Sequence, residues 1–206
     1  MKKEEDLGFI HRFVPGQDGP TILLLHGTGG NEEDLVSIAK MIDESAPIIS
    51  PRGKVLEQGM PRFFRRFAEG VFDIEDLKFR TNELADFVEK ASSEYRFDPR
   101  RVVALGYSNG ANIAASMLLL RPESLSHAIL FRAMLPLVPE KMPDLSGKRV
   151  FMSAGRYDTI IPQDKVEELA ALLERSHANV TLNWEESTHS LVMGDIEKAR
   201  AFWSKT

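Results

Sequence analysis

The segment 106–110, Gly-Tyr-Ser-Asn-Gly, places one serine between two glycines. It directly follows the apolar run 101–105 and directly precedes the helix-like run 111–120. A serine hydroxyl is a poor nucleophile unless it is exposed beside a base, and a tight turn between a strand and a helix holds it in that position. The pattern therefore predicts Ser108 as a nucleophile, against the plainer interpretation of a glycine-rich turn.

A serine nucleophile needs a base, and the five histidines of the chain differ in where they fall. His11 and His127 lie within or at the start of predicted strands, and His177 ends a helix that leads to the opposite edge of the predicted sheet. His189 follows the last predicted strand in a polar loop, which should lie at the same edge as Ser108. A lone histidine in a loop is often only a surface residue, but beside this serine we predict His189 as the base.

The third residue must be a carboxylate that orients the imidazole and stabilises its charged form. Asp158 lies just beyond the predicted strand 149–154, at the edge where Ser108 and His189 are expected. Asp164 is the rival, but it falls in the first turn of the next helix, where an acid complements the helix dipole. Asp144 precedes the strand and should lie at the wrong edge. We therefore predict Asp158.

Two backbone N–H groups are predicted to form an oxyanion hole, which stabilises negative charge on a substrate oxygen. One belongs to Asn109, just after the serine, and the other to Thr28 in the loop 26–31, His-Gly-Thr-Gly-Gly-Asn. A glycine-rich loop after a strand also suits a nucleotide phosphate. However, neither a Gly-Lys-Ser/Thr ending nor a full G-x-G-x-x-G is present, which disfavours nucleotide binding.

The stretch 60–67, Met-Pro-Arg-Phe-Phe-Arg-Arg-Phe, combines aromatic residues with arginines. In one interpretation Phe63, Phe64 and Arg65 bind substrate. The aromatic rings would pack against an apolar group, and Arg65 or Arg66 would pair with a carboxylate or phenolate. In the other, the phenylalanines pack the loop down and the arginines face water. The sequence leaves both interpretations open.

The elements that must position these residues alternate between strand-like and helix-like runs. Short apolar runs predict strands at 21–26, 47–50, 101–105, 127–131, 149–154 and 180–184, with an antiparallel edge strand at 9–14. Apolar residues with helical spacing cover 35–42, 84–91 and 166–173. This alternation predicts an α/β fold with a mostly parallel central sheet and helices on both faces.

Two stretches, 51–80 and 132–147, match no regular element. Both follow predicted strands and should therefore lie at the carboxyl edge of the sheet, where open α/β folds bind ligands. We predict them as pocket walls, too short to form a separate lid domain.

Length and composition predict a single globular domain over 1–206. The net charge of -5 and the scattered basic residues disfavour nucleic acid as a partner. The absence of cysteine excludes a thiol nucleophile and cysteine-bound zinc, and no histidine or carboxylate cluster indicates a metal or another cofactor. The most apolar stretch, 113–120, is too short to cross a bilayer. We expect a soluble, cytoplasmic protein.

Taken together, the motifs resemble those of the carboxylesterase and acyl-protein thioesterase family of α/β-hydrolases. Within it the chain is similar to small bacterial carboxylesterases related to methylhydroquinone-inducible hydrolases. The resemblance extends over nearly all of the chain from Thr21 onward and includes His189 and the motifs at 25–30, 50–53, 106–110 and 155–162. It departs from the thioesterase branch at Asn109 and Thr188, where that branch usually has glutamine and glycine.

The resemblance implies that Ser108, Asp158 and His189 form the family's catalytic triad, with Thr28 and Asn109 as its oxyanion hole. The chain order Ser, Asp, His is the one expected for α/β-hydrolases. The implied activity is hydrolysis of small carboxylic esters through an acyl-enzyme, without a cofactor. A thioesterase or lysophospholipase and a ligand-sensing protein on the same fold are the alternatives. Homodimers are common in the family.

Overall fold

The computed structural model describes residues 7–204, which contain eleven strands and five α-helices. The strands are β1 (His11–Val14), β2 (Thr21–Leu25), β3 (Ile48–Pro51), β4 (Val55–Glu57), β5 (Met60–Arg62), β6 (Arg66–Ala68), β7 (Val71–Phe72), β8 (Val102–Tyr107), β9 (His127–Phe131), β10 (Arg149–Gly155) and β11 (Asn179–Glu185). The helices are α1 (Val36–Ile42), α2 (Ile74–Tyr95), α3 (Asn109–Leu120), α4 (Gln163–Arg175) and α5 (Met193–Trp203). Within 7–204, no helix is both long enough and apolar enough to cross a membrane.

Seven of the strands form one sheet in the order β1-β3-β2-β8-β9-β10-β11. Neighbouring strands are parallel, except that β1 pairs antiparallel with β3 at one edge. The mostly parallel sheet and its antiparallel edge strand are both confirmed. Because β2, β8, β9, β10 and β11 run in one direction, the loops that follow them meet at the same edge of the sheet.

Helices cover both faces of this sheet, and each face has its own apolar core. In β2, Leu23 and Leu25 point into one core while Ile22 and Leu24 point into the other, because successive side chains of a strand alternate. Helices α2, α3 and α4 pack on the first face, and α1 and α5 pack on the second. Burial on both faces explains why the central strands are continuously apolar rather than alternating.

The prediction that 51–80 has no regular element was wrong. The segment forms two small antiparallel hairpins, β4–β5 and β6–β7, followed by the first turns of α2. Strands of two or three residues are too short to show an alternating pattern. The first hairpin turns at Gln58 and Gly59, with φ of 52° and 81°, as two-residue hairpin turns require. Helix α2 starts after Asp73, whose side chain accepts a hydrogen bond from the Asp76 N–H.

The other irregular segment, 132–147, contains no helix or strand, as predicted.

Helix α3 starts beside the end of β2, and this contact depends on Gly110. A Cβ atom at Gly110 would lie 1.9 Å from the carbonyl oxygen of Leu25. The absence of a side chain at position 110 therefore sets how closely α3 approaches the sheet.

We predict that Gly110→Ala destabilises the protein by at least about 1–3 kcal/mol, because the added methyl group overlaps backbone that has little room to move. Thermal unfolding followed by circular dichroism measures the change. Gly19→Ala is the matched control, since nothing lies within 4 Å of a Cβ atom there, and its effect should stay within about 0.5 kcal/mol. Equal melting temperatures for the two variants would contradict this account of the α3 contact.

Candidate active site

Ser108 occupies the turn between β8 and α3, with φ 53° and ψ -113°. A positive φ is unfavourable for a residue with a side chain, by about 1–3 kcal/mol, and persists only where the surroundings enforce it. Here the Ser108 N–H donates a hydrogen bond to the Phe131 carbonyl at 2.9 Å. The close approach of α3 to β2 at Gly110 fixes the other side of the turn. The turn therefore holds the serine at the carboxyl edge of the sheet.

The structure brings His189 and Asp158 to this serine. The His189 Nε2 lies 3.0 Å from the Ser108 Oγ, and the His189 Nδ1 lies 2.8 Å from the Asp158 Oδ2. A carboxylate only accepts hydrogen bonds, so Nδ1 carries the proton and Nε2 is left to accept from the hydroxyl. The Asp158 side chain is only 2% exposed and that of His189 is 18% exposed.

The backbone keeps the Asp158 carboxylate in place. Its Oδ1 accepts hydrogen bonds from the N–H groups of Ile160 and Ile161, at 2.8 and 3.0 Å. The rival carboxylates lie elsewhere. Asp164 is in the first turn of α4, and Asp144 contacts the exposed His177. The structure thus brings together the three side chains selected from the sequence and leaves the alternatives apart.

The buried histidines outside this cluster have structural partners. His11 contacts the Phe9 carbonyl and the Tyr95 hydroxyl, each at 2.7 Å. His26 donates from Nδ1 to the Gly27 carbonyl at 2.6 Å and accepts from the Gly53 N–H at 2.9 Å. Burial lowers the pKa of His26, which agrees with a neutral ring that ties the glycine loop to the start of the first hairpin.

The glycine loop after β2 faces the same cluster. The N–H groups of Gly29 and Gly30 donate to the carbonyls of Pro61 and Gly27, whereas no residue within 7–204 accepts from the Thr28 N–H. The Asn109 N–H is the first of α3 and is among those that a helix leaves without an internal partner. Thr28 and Asn109 both border the pocket beside Ser108. Two backbone donors are therefore available there.

The loop that carries His189 is tied down by Arg132, which is fully buried and directly follows β9. Its guanidinium donates to the carbonyl oxygens of Thr188 and Ser190, at 3.2 and 2.8 Å, and to the Ser187 hydroxyl at 3.0 Å. The two carbonyls belong to the residues on either side of His189. Arg132 therefore fixes the backbone on both sides of the imidazole.

A buried carboxylate, Asp195, balances the charge of Arg132. Both side chains are fully buried, and they form two hydrogen bonds of 2.9 and 2.8 Å. The Ser153 hydroxyl also donates to Asp195, at 2.6 Å. We did not predict this pair from the sequence. The sequence did contain one signal for it, the charged residue at position 132 directly after a buried strand. A charge at such a position can be buried at low cost only if it is paired, so a buried acidic partner was to be expected.

Two further contacts hold the His189 loop against the sheet. The Tyr107 hydroxyl donates to the His189 carbonyl at 3.1 Å, and burial raises the pKa of Tyr107, so this donor stays protonated. At the end of β10, a Cβ atom on Gly155 would lie 2.3 Å from the Thr188 carbonyl oxygen. The loop can approach β10 this closely because position 155 lacks a side chain.

The pocket beside Ser108 is small, with a volume of about 30 Å³. Its polar walls come from the glycine loop, the hairpins and α3, and apolar residues from three segments complete it. The lining includes Thr28, Arg62, Arg66, Asn109, Asn112, Phe72, Met134, Ile160 and Ile161. A wider groove of about 450 Å³ lies on the other side of Thr28 and reaches Ser190 and Leu191.

Of the residues predicted to bind substrate, Phe63, Phe64 and Arg65 do not line this pocket, whereas Arg66, the alternative to Arg65, does. Phe63 packs on His26 with ring centroids 4.7 Å apart, and Phe64 packs edge-on against Phe72. Both phenylalanines are buried, as in the second interpretation of this stretch. Arg65 is 62% exposed and pairs with Asp73 at 3.0 Å. The sequence pattern located the right segment, and Arg66 lines the pocket together with Arg62, which was not among the predicted residues.

Comparison with known proteins identifies the family. Residues 15–206 match the model of the phospholipase/carboxylesterase family. The putative hydrolase MhqD of Bacillus subtilis (strain 168) is 45% identical over 195 residues, which are 95% of this chain and 98% of that protein. This agrees with the resemblance to methylhydroquinone-inducible hydrolases drawn from the motifs.

Solved structures agree with the family match. The crystal structure of the Bacillus cereus carboxylesterase is 50% identical, with a TM-score of 0.96 over 98% of this chain and 96% of that one. The structure of YahD with malic acid is 35% identical, with a TM-score of 0.90 over 95% and 98%. The chain has the α/β-hydrolase fold, and it belongs to the phospholipase/carboxylesterase family of hydrolases.

Proposed function

We propose that this protein is a serine carboxylesterase that hydrolyses small carboxylic esters through an acyl-enzyme on Ser108. One observation carries the proposal: a single imidazole lies within hydrogen-bond distance of both the Ser108 hydroxyl and a buried carboxylate. A base that is itself held by an acid is the arrangement that activates a hydroxyl nucleophile. The family match supports a hydrolase, and the geometry supports the serine mechanism.

In the first step the Ser108 Oγ attacks the ester carbonyl while the His189 Nε2 accepts the hydroxyl proton. Asp158 stabilises the imidazolium that forms, because its carboxylate faces the Nδ1–H at 2.8 Å. The N–H groups of Thr28 and Asn109 donate to the developing oxyanion. The alcohol then leaves with the proton from His189, and the acyl group remains bonded to Ser108.

In the second step water takes the place of the alcohol. His189 accepts a proton from this water, which attacks the acyl carbonyl through the same oxyanion arrangement. The bond to the Ser108 Oγ breaks, the serine regains its proton from His189, and the acid is released. The two steps consume one ester and one water and release the acid and the alcohol. The reaction therefore balances without a metal or a redox cofactor.

The dimensions of the site favour a short acyl group. The pocket beside Ser108 has a volume of about 30 Å³, against about 450 Å³ for the groove beside Thr28. The acyl group stays on the enzyme through both steps, whereas the alcohol must leave. We therefore assign the acyl group to the small pocket and the alcohol to the wider, more open groove beside Thr28.

Arg132 acts here as a positioning residue for the base. Within 7–204 its hydrogen bonds do not include Ser108, but two of them go to the backbone on both sides of His189. A planar guanidinium offers five N–H donors in a fixed fork, and lysine offers three at one point. Only an arginine can therefore hold Asp195 and the loop at the same time.

We predict that Ser108→Ala lowers kcat for p-nitrophenyl acetate at least about a thousandfold, because only the oxyanion donors and substrate binding remain. A fluorophosphonate should label the unmodified protein, and mass spectrometry should locate the adduct at Ser108. Ser93→Ala, at an exposed position of α2, is the control and should keep full activity. Near-complete activity in Ser108→Ala would refute the proposed nucleophile.

Replacement of Arg132 by lysine should slow fluorophosphonate labelling of Ser108 at least about tenfold in protein that is still folded. The measurement is made at low temperature on samples whose folded fraction is established by circular dichroism. Arg175→Lys, at the exposed end of α4, is the control. Should Arg132→Lys not fold, Asp195→Asn keeps the shape of the pair and removes one charge. Labelling at the original rate in a folded variant would exclude the positioning role.

Activity should fall as the acyl chain lengthens. We expect kcat/KM for p-nitrophenyl octanoate to be at least about tenfold below that for the acetate, since most of an octanoyl chain would stay outside the pocket. Initial rates over the series from acetate to palmitate test this expectation. A steady rise with chain length would instead favour the thioesterase or lysophospholipase alternative.

A further inference from the structure

One wall of the small pocket carries a buried amide group that lacks a partner. Asn109 is 2% exposed, and its Oδ1 accepts a hydrogen bond from the Phe63 N–H at 2.8 Å. A backbone N–H can only donate, so this bond fixes which end of the amide is oxygen. The Asn109 Nδ2 is thereby oriented as a donor, and it has no hydrogen-bond partner within 7–204. Unpartnered buried donors are rare, and this one has almost no accessible surface of its own.

Asn112, one turn further along α3, repeats the arrangement. It is 4% exposed, lines the same pocket and accepts at Oδ1 from the Met134 N–H at 2.9 Å. Its Nδ2 makes no hydrogen bond to any of the residues that the structure describes. Residues three apart lie on the same side of a helix. The start of α3 therefore presents one amide donor to the pocket, the Asn112 Nδ2, which a backbone bond orients.

The first hairpin adds more donors to the pocket. The Arg62 side chain is only 3% exposed, and it donates from Nη1 to the Thr28 Oγ1 at 2.6 Å and from Nε to the Phe64 carbonyl at 3.2 Å. Because the Thr28 hydroxyl accepts from Arg62, its own proton remains to be donated. Burial lowers the pKa of Arg62 to about 10, so the guanidinium still carries its charge at neutral pH.

The charged side chains at the pocket are two arginines and two carboxylates, of which three line it. The charged side chains that line it are Arg62, Arg66 and the exposed Glu69. Glu57, behind the wall, bonds to Arg66 through both of its oxygens and lies 3.3 Å from the Arg62 Nε. The lining itself therefore has two positive charges and one negative charge, and the negative one is the most exposed to solvent.

A pocket lined by an amide donor and a guanidinium suits the two oxygens of a carboxylate. We propose that the acyl group of the substrate carries a free carboxylate, as in the half-ester of a short dicarboxylic acid, bound by Asn112 and Arg62. This inference rests on the proposed esterase function and adds the substrate class. Hydrolysis consumes water and releases the alcohol, the dicarboxylate and one proton.

The test compares esters of nearly equal shape. Ethyl hydrogen malonate is matched with ethyl 3-methylbutanoate, and ethyl hydrogen succinate with ethyl 4-methylpentanoate, so that a carboxylate replaces a branched alkyl end. Proton release in a pH-stat gives kcat/KM, and each value is divided by the ester's own rate of alkaline hydrolysis to remove its intrinsic reactivity. We expect the anionic member of each pair to be favoured at least about tenfold.

Asn112→Asp tests the site itself. The aspartate keeps an oxygen for the Met134 N–H and replaces the donor by a negative charge, so the ratio of anionic to neutral kcat/KM should fall at least about tenfold. Because the readout is a ratio within one variant, a general loss of activity cancels. Asn179→Asp, an exposed change of equal charge at the amino end of β11, should leave the ratio unchanged.

Competitive inhibition of p-nitrophenyl acetate hydrolysis by succinate, compared with inhibition by the uncharged succinamide, gives a second readout that needs no variant. Preference for the neutral esters, weaker inhibition by succinate, or an unaltered ratio in Asn112→Asp would each overturn the carboxylate site while leaving the esterase function intact. Failure to hydrolyse p-nitrophenyl acetate, together with no labelling by a fluorophosphonate, would instead remove the esterase proposal and this inference with it.

Discussion

The geometry of the candidate active site depends on one buried ion pair, Arg132 with Asp195. The pair links β9, the end of β10 and the start of α5 to the loop that carries His189. A buried charge is tolerated only when it is paired and its remaining donors are satisfied, and the five N–H groups of this guanidinium serve six acceptors, three of which share the two N–H groups of Nη2. The loop has no regular secondary structure of its own, so its shape comes from this partner.

The positions of Ser108, Asp158 and His189 could be predicted because each follows a strand of the parallel part of the sheet. Strand direction alone then brings them to one edge, and the apolar runs that mark the strands are the strongest signal in the sequence. The strand predictions were accordingly accurate to one or two residues, with β9 identical to the predicted range. The chemical roles of these residues remain proposals.

The walls of the pocket could not be predicted in the same way. The hairpins that bring Arg62 to the site consist of strands of two or three residues, which are too short for periodicity to be visible. The direction of each side chain depends on hydrogen bonds to distant backbone, such as the bond from the Phe63 N–H to Asn109. No local pattern encodes a contact between residues 46 positions apart in the chain.

Different parts of the fold hold the proposed base and the pocket that is assigned to the acyl group. The proposed base is held by Arg132 from within the sheet, whereas the wall facing the acyl group is built on the hairpins between β3 and α2. Substitutions in the hairpins can therefore reshape what is accepted without altering the path of proton transfer. Such a division lets one scaffold diversify its specificity while the reaction is conserved.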